Sequence, residues 1–193
     1  MGFGTKSVYL GSDTTISQMK YGDKYTEING TLAEPNASAD FSTSENDIYT
    51  GVGCAGGAGT CTAWAYLGRA IQVEDSSGEE LATFTARGYL QGSMEYNEGA
   101  IFEQVELIVE DETDNERYDE TIFKKSDYND AGIQYSYNDS LLVELEAGHT
   151  YGVHIKSTSE LSHSYDIGAA SVVDFNPPTN NGYVSVDEVD ISF

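Results

Sequence analysis

LLVELEAGHTYGVHIK, residues 141–156, carries the reading from which the fold follows. Leu141-Leu142-Val143-Glu144-Leu145 reads as a strand, and Glu146-Ala147-Gly148 as a tight turn. Beyond the turn Tyr151, Val153 and Ile155 alternate with Gly152, His154 and Lys156. A period of two is the signature of a strand with one dry face and one wet face.

Working outward, the same period recurs at short spacing. Residues 25–32 give an early strand around Ile28. Residues 63–75 carry Trp64, Tyr66, Leu67, Ile71 and Val73. In 81–90, Leu81, Thr83 and Thr85 alternate with Ala82, Phe84 and Ala86. In 101–110, Ile101, Val105, Leu107 and Val109 point inward. The polar run Glu112-Thr113-Asp114-Asn115 then turns the chain into a strand at 121–125, as a hairpin. The final strand is 183–193, after a Pro- and Gly-rich loop at 176–182. The one helical candidate is 14–20. Residues 33–62 are poor in large apolar side chains and read as a long irregular segment with one short strand at Ile48-Tyr49. The expectation is an all-β, two-sheet β-sandwich in a single domain, 1–193.

The order strand, LEAGHTY, strand, ASVVDF, Gly/Asn loop and GYVSVDEVDISF resembles the C-terminal half of jelly-roll sandwich domains. Carbohydrate-binding modules, virion spike domains and secreted haloarchaeal β-sandwiches share that plan. The resemblance implies a fold, and function does not follow from fold alone.

Thirty-three Asp and Glu stand against nine Lys and Arg in 193 residues, a formal charge of −24. That excludes nucleic-acid binding through basic patches and attraction to an anionic membrane face. No apolar run is long enough for a membrane-spanning helix. Residues 1–6 lack a cationic segment followed by an apolar one, so no secretory leader is expected. At 39% hydrophobic and 11% aromatic residues the chain is too apolar for disorder. Self-repulsion at such charge weakens a core in dilute buffer, whereas at 1 M salt the screening length falls to about 3 Å. In composition the chain resembles proteins of extremely halophilic archaea and their viruses.

Candidate sites are few. Cys54 and Cys61 flank a glycine-rich stretch that can bend back. A disulfide there would close a short loop worth about 2.5 kcal/mol; the alternatives are a redox dithiol, a zinc site or two free core thiols. The oxygen-rich turns at Asp111 and Asp114, and at Asp127, Asn129 and Asp130, are candidates for Ca²⁺, Mg²⁺ or a monovalent cation. No other cofactor is expected. Tyr outnumbers Phe, 14 to 7. Tyr118, Tyr128, Tyr135, Tyr137 and Tyr165 are the candidate ligand or interface side chains. No catalytic constellation stands out, and the abundance of acids makes any carboxylate pair uninformative.

The functional expectation is a non-enzymatic virion structural protein of a halophilic archaeal virus: a capsid turret, decoration or tail-associated subunit. It would sit on the virion exterior as a homo-oligomer, trimer or pentamer, contacting its own copies, other virion proteins and a host-surface glycan. The alternative is a carbohydrate-binding module or a secreted or surface adhesin of a halophilic archaeon. The charge argument makes one prediction. Far-UV circular dichroism should report loss of structure when salt is removed below about 0.5 M, where screening among the acids weakens. An unchanged spectrum on desalting would overturn it.

Overall fold

The computed structural model describes residues 4–95, 99–127, 130–175 and 182–193; the side chains of 130, 131 and 165–174 are outside the description. The loop expected at 176–182 therefore lies almost entirely outside the described residues. The strands are β1 Lys6–Val8, β2 Thr14–Ile16, β3 Tyr21–Leu32, β4 Asn36–Ser42, β5 Asp47–Val73 and β6 Glu79–Glu95. They continue as β7 Ala100–Asp111, β8 Glu116–Ser126, β9 Asp130–Glu146, β10 Thr150–Phe175 and β11 Tyr183–Ser192. No helix occurs among the described residues. The chain is all-β, as the alternation predicts.

Two strands organise the rest. β5 and β10 are 27 and 26 residues long. They pair antiparallel from Gln72↔Thr150 to Thr50↔Phe175. A ladder of that length does not stay flat. Its register shifts between Ser164 and Ile167 and again between Ile167 and Ser171, opposite Ala58 to Cys54. Such irregularities bend a strand pair. The two ends of the ladder consequently face each other: Thr50 Oγ1 and Ser157 Oγ lie 2.8 Å apart, 107 residues apart in sequence. One half of the ladder continues into a layer ordered β3-β5-β10-β7-β8. The other half joins β4, β11, β6 and β9. Among the described residues eleven strands thus form one hydrogen-bonded sheet that wraps into a two-layered sandwich.

The core lies between the layers. Ala63, Ala65 and Leu67 of β5, Val153 and Ile155 of β10, and Val105, Leu107 and Val109 of β7 face inward from the first layer, all fully buried. Phe84, Leu90 and Met94 of β6, Val143 and Leu145 of β9, and Val184, Val189 and Ile191 of β11 meet them from the second.

Three expectations are corrected. The segment 33–62 is not irregular: it forms β4 and the first half of β5. Its small residues are needed where backbones approach closely. A Cβ on Gly30 would lie 2.3 Å from the Ala58 carbonyl oxygen, and one on Gly57 2.3 Å from that of Thr31. Both glycines have positive φ, +96° and +92°, a conformation disfavoured for residues with a Cβ. Cys54 and Cys61 are buried free thiols, with no disulfide between them. The glycines between them carry the chain from one layer to the other, and each cysteine is fixed by its own rung, opposite Ser171 and Leu161. Burial and the neighbouring Cys54 push the Cys61 thiol above its ordinary pKa, which leaves it unreactive. The helix expected at 14–20 is the short strand β2 followed by irregular chain. Ile16 and Met19 are both buried, and their three-residue spacing imitates a helical face.

One inward slot holds a carboxylic acid. Glu103 sits between Ile101 and Val105 with no exposure. Ser157 Oγ donates to its Oε1 at 2.7 Å and Ser159 to its Oε2. Burial, opposed by these two bonds, pushes the carboxyl up to about 8. The folded state therefore holds a proton that the unfolded chain releases above about 4.5, so this group's contribution is complete below that pH and is lost as pH rises through about 8. Urea unfolding should show stability falling across that window by on the order of a few kcal/mol. Glu103→Gln should flatten the slope; an equal slope in the variant would refute the assignment.

Candidate functional site

The outer face of the β3-β5-β10-β7-β8 layer departs from the usual distribution of side chains. β5 turns Ala63, Ala65 and Leu67 to the core and leaves Trp64 and Tyr66 half-buried on the outside. The register then builds rows across the face. Tyr25 on β3 stands opposite Trp64, and Tyr21 opposite Gly68. On β10, Thr158, Lys156 and His154 stand opposite Trp64, Tyr66 and Gly68. On β7, Glu106 and Ile108 stand opposite Lys156 and His154.

Tyr25, Trp64 and Tyr66 form a strip of near-parallel rings. Tyr25 and Trp64 have centroids 5.8 Å apart and planes 23° apart; Trp64 and Tyr66 are 6.2 Å and 13° apart. His154 continues the strip, its centroid 4.8 Å from that of Tyr66. Glycines make its seat. A Cβ at Gly68 would lie 2.4 Å from the His154 ring, and one at Gly152 would lie 2.9 Å from Nε2. Tyr21 Oη and His154 Nε2 are 2.7 Å apart. Burial, with Glu112, Tyr66 and Glu110 adding to it, holds the Tyr21 phenol far above its ordinary pKa. The hydroxyl therefore keeps its proton and donates to the imidazole. Burial lowers the His154 pKa, opposed by Glu110 and aided by Arg117, so the ring is neutral at neutral pH.

Beside the strip lies a hollow of about 130 Å³ lined by Trp64, Tyr66, Ile108, Glu110, Arg117, His154 and Lys156. The Lys156 ammonium stands 5.0 Å from the Trp64 ring centre, a cation–π arrangement. It makes no ion pair among the described residues. Arg117 reaches Asp119 through Nε at 3.4 Å. A second hollow of about 200 Å³, with Thr60, Thr62, Phe102, Glu160 and Ser162 in its lining, opens farther along the same strands. Lys156 to Ser162 spans roughly 20 Å at 3.3 Å per residue. The outer face is thus an extended surface with an aromatic strip and a hollow towards each end.

The residues expected from sequence fall elsewhere. Asp111 and Asp114 are brought together, and His149 joins them; one ligand-capable atom of each lies within 4.8 Å of the others. Asp111 and His149 are already engaged. Asp111 Oδ1 accepts the Thr113 and Asp114 amides at 2.8 and 3.2 Å, and Oδ2 meets His149 Nδ1 at 2.8 Å. The cluster ties the β7–β8 turn to the β9–β10 turn. Asp127 lies at the opposite end of the β7–β8 hairpin, where its Oδ1 accepts the Ile101 amide at 3.1 Å. Asn129 lies outside the described residues, as does the Asp130 side chain.

Among the tyrosines, Tyr137 is a core residue, 3% exposed, whose hydroxyl donates to the Ser185 carbonyl at 2.7 Å. Its place on β9 opposite Gly88 turns it inward, which corrects its assignment as an interface side chain. Tyr118 is half-buried and donates to Glu116 Oε2 at 2.7 Å. Tyr135 is exposed, its ring 5.8 Å from Phe123; both close the margin between β8 and β9. Tyr128 lies outside the described residues, and so does the Tyr165 side chain. The strip itself was missed. Its signal is the alternation Ala63-Trp64-Ala65-Tyr66, small residues on the core side and large aromatics on the wet side.

No family model and no curated protein matches this chain. Solved structures offer distant likenesses. One is the CBM22-1–GH10 portion of a Clostridium thermocellum endo-1,4-β-D-xylanase, complexed with xylohexaose: 12% identity and a TM-score of 0.23, over 95% of this chain and 28% of that one. Another is the infectious bursal disease virus Gx strain: 8% identity and a TM-score of 0.25, over 90% of this chain and 40% of that one. The chain spans less than half the length of either.

The Asp111–His149 contact generates a prediction. Burial alone would raise the Asp111 carboxyl, but the hydrogen bonds from His149 and from the Thr113 and Asp114 amides, with the His149 charge, outweigh it and hold the group below its ordinary pKa. The same bond raises the imidazole against the opposing effect of burial. The pair's contribution is lost as pH falls through the Asp111 value and as it rises through the His149 value. NMR titration should place the His149 imidazole above about 6.5 and return it toward that value in Asp111→Asn; a His149 that titrates identically in both refutes the contact.

Proposed function

We propose that the chain is a non-enzymatic recognition module that binds a glycan along the outer face of the β3-β5-β10-β7-β8 layer. The near-parallel strip Tyr25–Trp64–Tyr66 carries this reading. Aromatic side chains are the strongest contributors to a dry core, yet at 63 and 65 β5 gives core slots to alanines and turns Trp64 and Tyr66 outward. A flat π-face suits the C–H-lined side of a sugar ring, because the ring quadrupole attracts weakly positive hydrogens. Hydroxyl and carboxylate groups around the strip (Thr158, Thr62, Glu110 and Glu160) match the hydrogen-bonding rim of a sugar. The length of the face fits an oligosaccharide. The setting that fits the acidic composition is a molar-salt exterior, on a virion or a cell surface.

A second reading, a virion structural subunit that assembles with its own copies, is favoured by a different surface. Leu81 and Leu142 are 57% and 60% exposed. The rungs Leu81↔Glu144 and Thr83↔Leu142 make them diagonal neighbours on the outer face of the second layer. The two readings use opposite faces and are compatible in one virion protein that both assembles and attaches.

A glycan array in molar salt, followed by calorimetry on the hits, tests the proposal. Trp64→Ala should weaken binding by at least about tenfold, as loss of a central aromatic anchor does, with circular dichroism unchanged because Trp64 lies outside the core. Leu81→Lys, on the other face, should leave glycan affinity intact. Full binding by Trp64→Ala, or no binding to any glycan, refutes the reading.

A further inference from the structure

We infer that the ligand is anionic: a saccharide bearing a carboxylate or a sulfate, whose charged group enters the hollow between Lys156 and Arg117. This rests on the glycan reading of the same face. Cations are scarce in this protein, nine Lys and Arg in 193 residues against thirty-three acids. Two of the nine line one small hollow, with Glu110 the one acid among its described lining residues. Carboxylates brace two of the others: Lys24 pairs with Asp40, and Arg87 with both Glu188 and Asp190. Lys156 stands over the Trp64 ring, as Lys124 stands over Phe102, with no carboxylate partner among the described residues, and it alone of the two shares a hollow with Arg117. The Arg117 fork meets Asp119 only through Nε, at 3.4 Å. Its terminal nitrogens make no ion pair among the described residues, and they offer the paired geometry that carboxylate and sulfate oxygens accept.

The remaining lining explains the ring next to that charge. Trp64 and Tyr66 supply the stacking wall, and His154 is held neutral and hydrogen-bonded to Tyr21, so it adds no competing charge. The net charge of −24 would repel an anion at long range in dilute buffer. At molar salt that repulsion is screened beyond about 3 Å, whereas contacts inside a hollow are screened much less. Recognition of an acid by an acidic protein is then decided by the cations in contact, which are Lys156 and Arg117.

Calorimetry of the full chain in molar KCl tests this with three probes of equal length: an oligogalacturonate, a sulfated galacto-oligosaccharide and a neutral galacto-oligosaccharide. At least one acidic probe should bind about tenfold or more tighter than the neutral one, the scale of a hydrogen bond to a charged group. The arm that binds identifies carboxylate or sulfate. Lys156→Gln should bring the acidic probe down to the affinity of the neutral one, and Lys156→Arg should restore the difference. Neutral and acidic probes binding alike, or a Lys156→Gln ratio equal to that of the native chain, overturns the inference while the glycan reading stands. Binding of none of the three overturns both.

Discussion

The antiparallel ladder between β5 and β10 is the constraint on which the structure depends. Its two halves belong to different layers, so the strands that define the sandwich also join it across the bend. Every other strand docks on this pair or on a neighbour that does. The Thr50–Ser157 bond is the polar stitch that shows the halves meeting face to face. Bending one ladder needs residues that tolerate close backbone approach, which is why the glycines cluster at 51–59 and opposite them at Gly30. The same non-local pairing makes the fold costly to nucleate, since strands far apart in sequence must close before any of their rungs forms.

The ladder also fixes the candidate site. Strand alternation couples the two faces of β5: with 63, 65 and 67 turned to the core, 64 and 66 are turned outward. Small inner residues let the layers approach, and the aromatics are placed outside on a backbone buried on its other face. The glycines at 68 and 152 then seat His154 against Tyr66 and Tyr21. A ligand meeting this face finds side chains held by rigid strands and mutual ring contacts, so little rotamer freedom remains to be lost on binding.

Much of the fold was legible in the sequence because alternation reports burial directly. The strands at 81–90, 101–110, 141–145 and 151–155 were read from it, as was the turn at 112–115. Residues 33–62 were not legible, because a glycine-rich strand that crosses between layers lacks large inward side chains to mark its period. The disulfide was misjudged for the same reason: glycines between two cysteines suggest a return, and here they permit a crossing. Glu103 was invisible because nothing local to a glutamate shows that Ser157 and Ser159, on a distant strand, will satisfy it. In the site, Tyr137 misled because tyrosine frequency says nothing about facing. The aromatic strip was present as Ala-Trp-Ala-Tyr, but its meaning appears only when Tyr25, His154 and Lys156 arrive from other strands.

Charge in this molecule works on two scales. Over the whole surface the acids repel one another, and salt suppresses that repulsion. Within contact distance salt acts far less, so the few cations that touch something retain their effect. Their placement is then informative. Lys24 and Arg87 brace pairs of strands through carboxylates, a structural use that needs no ligand. Lys156 and Arg117 occupy the one described hollow that also holds a tryptophan. A lysine held over an aromatic ring, in a protein so rich in carboxylates, is a cation the fold has kept without an acidic partner. In screened solvent such a group acts only on what comes into contact with it, which on the proposed reading is a molecule seated against Trp64 and Tyr66.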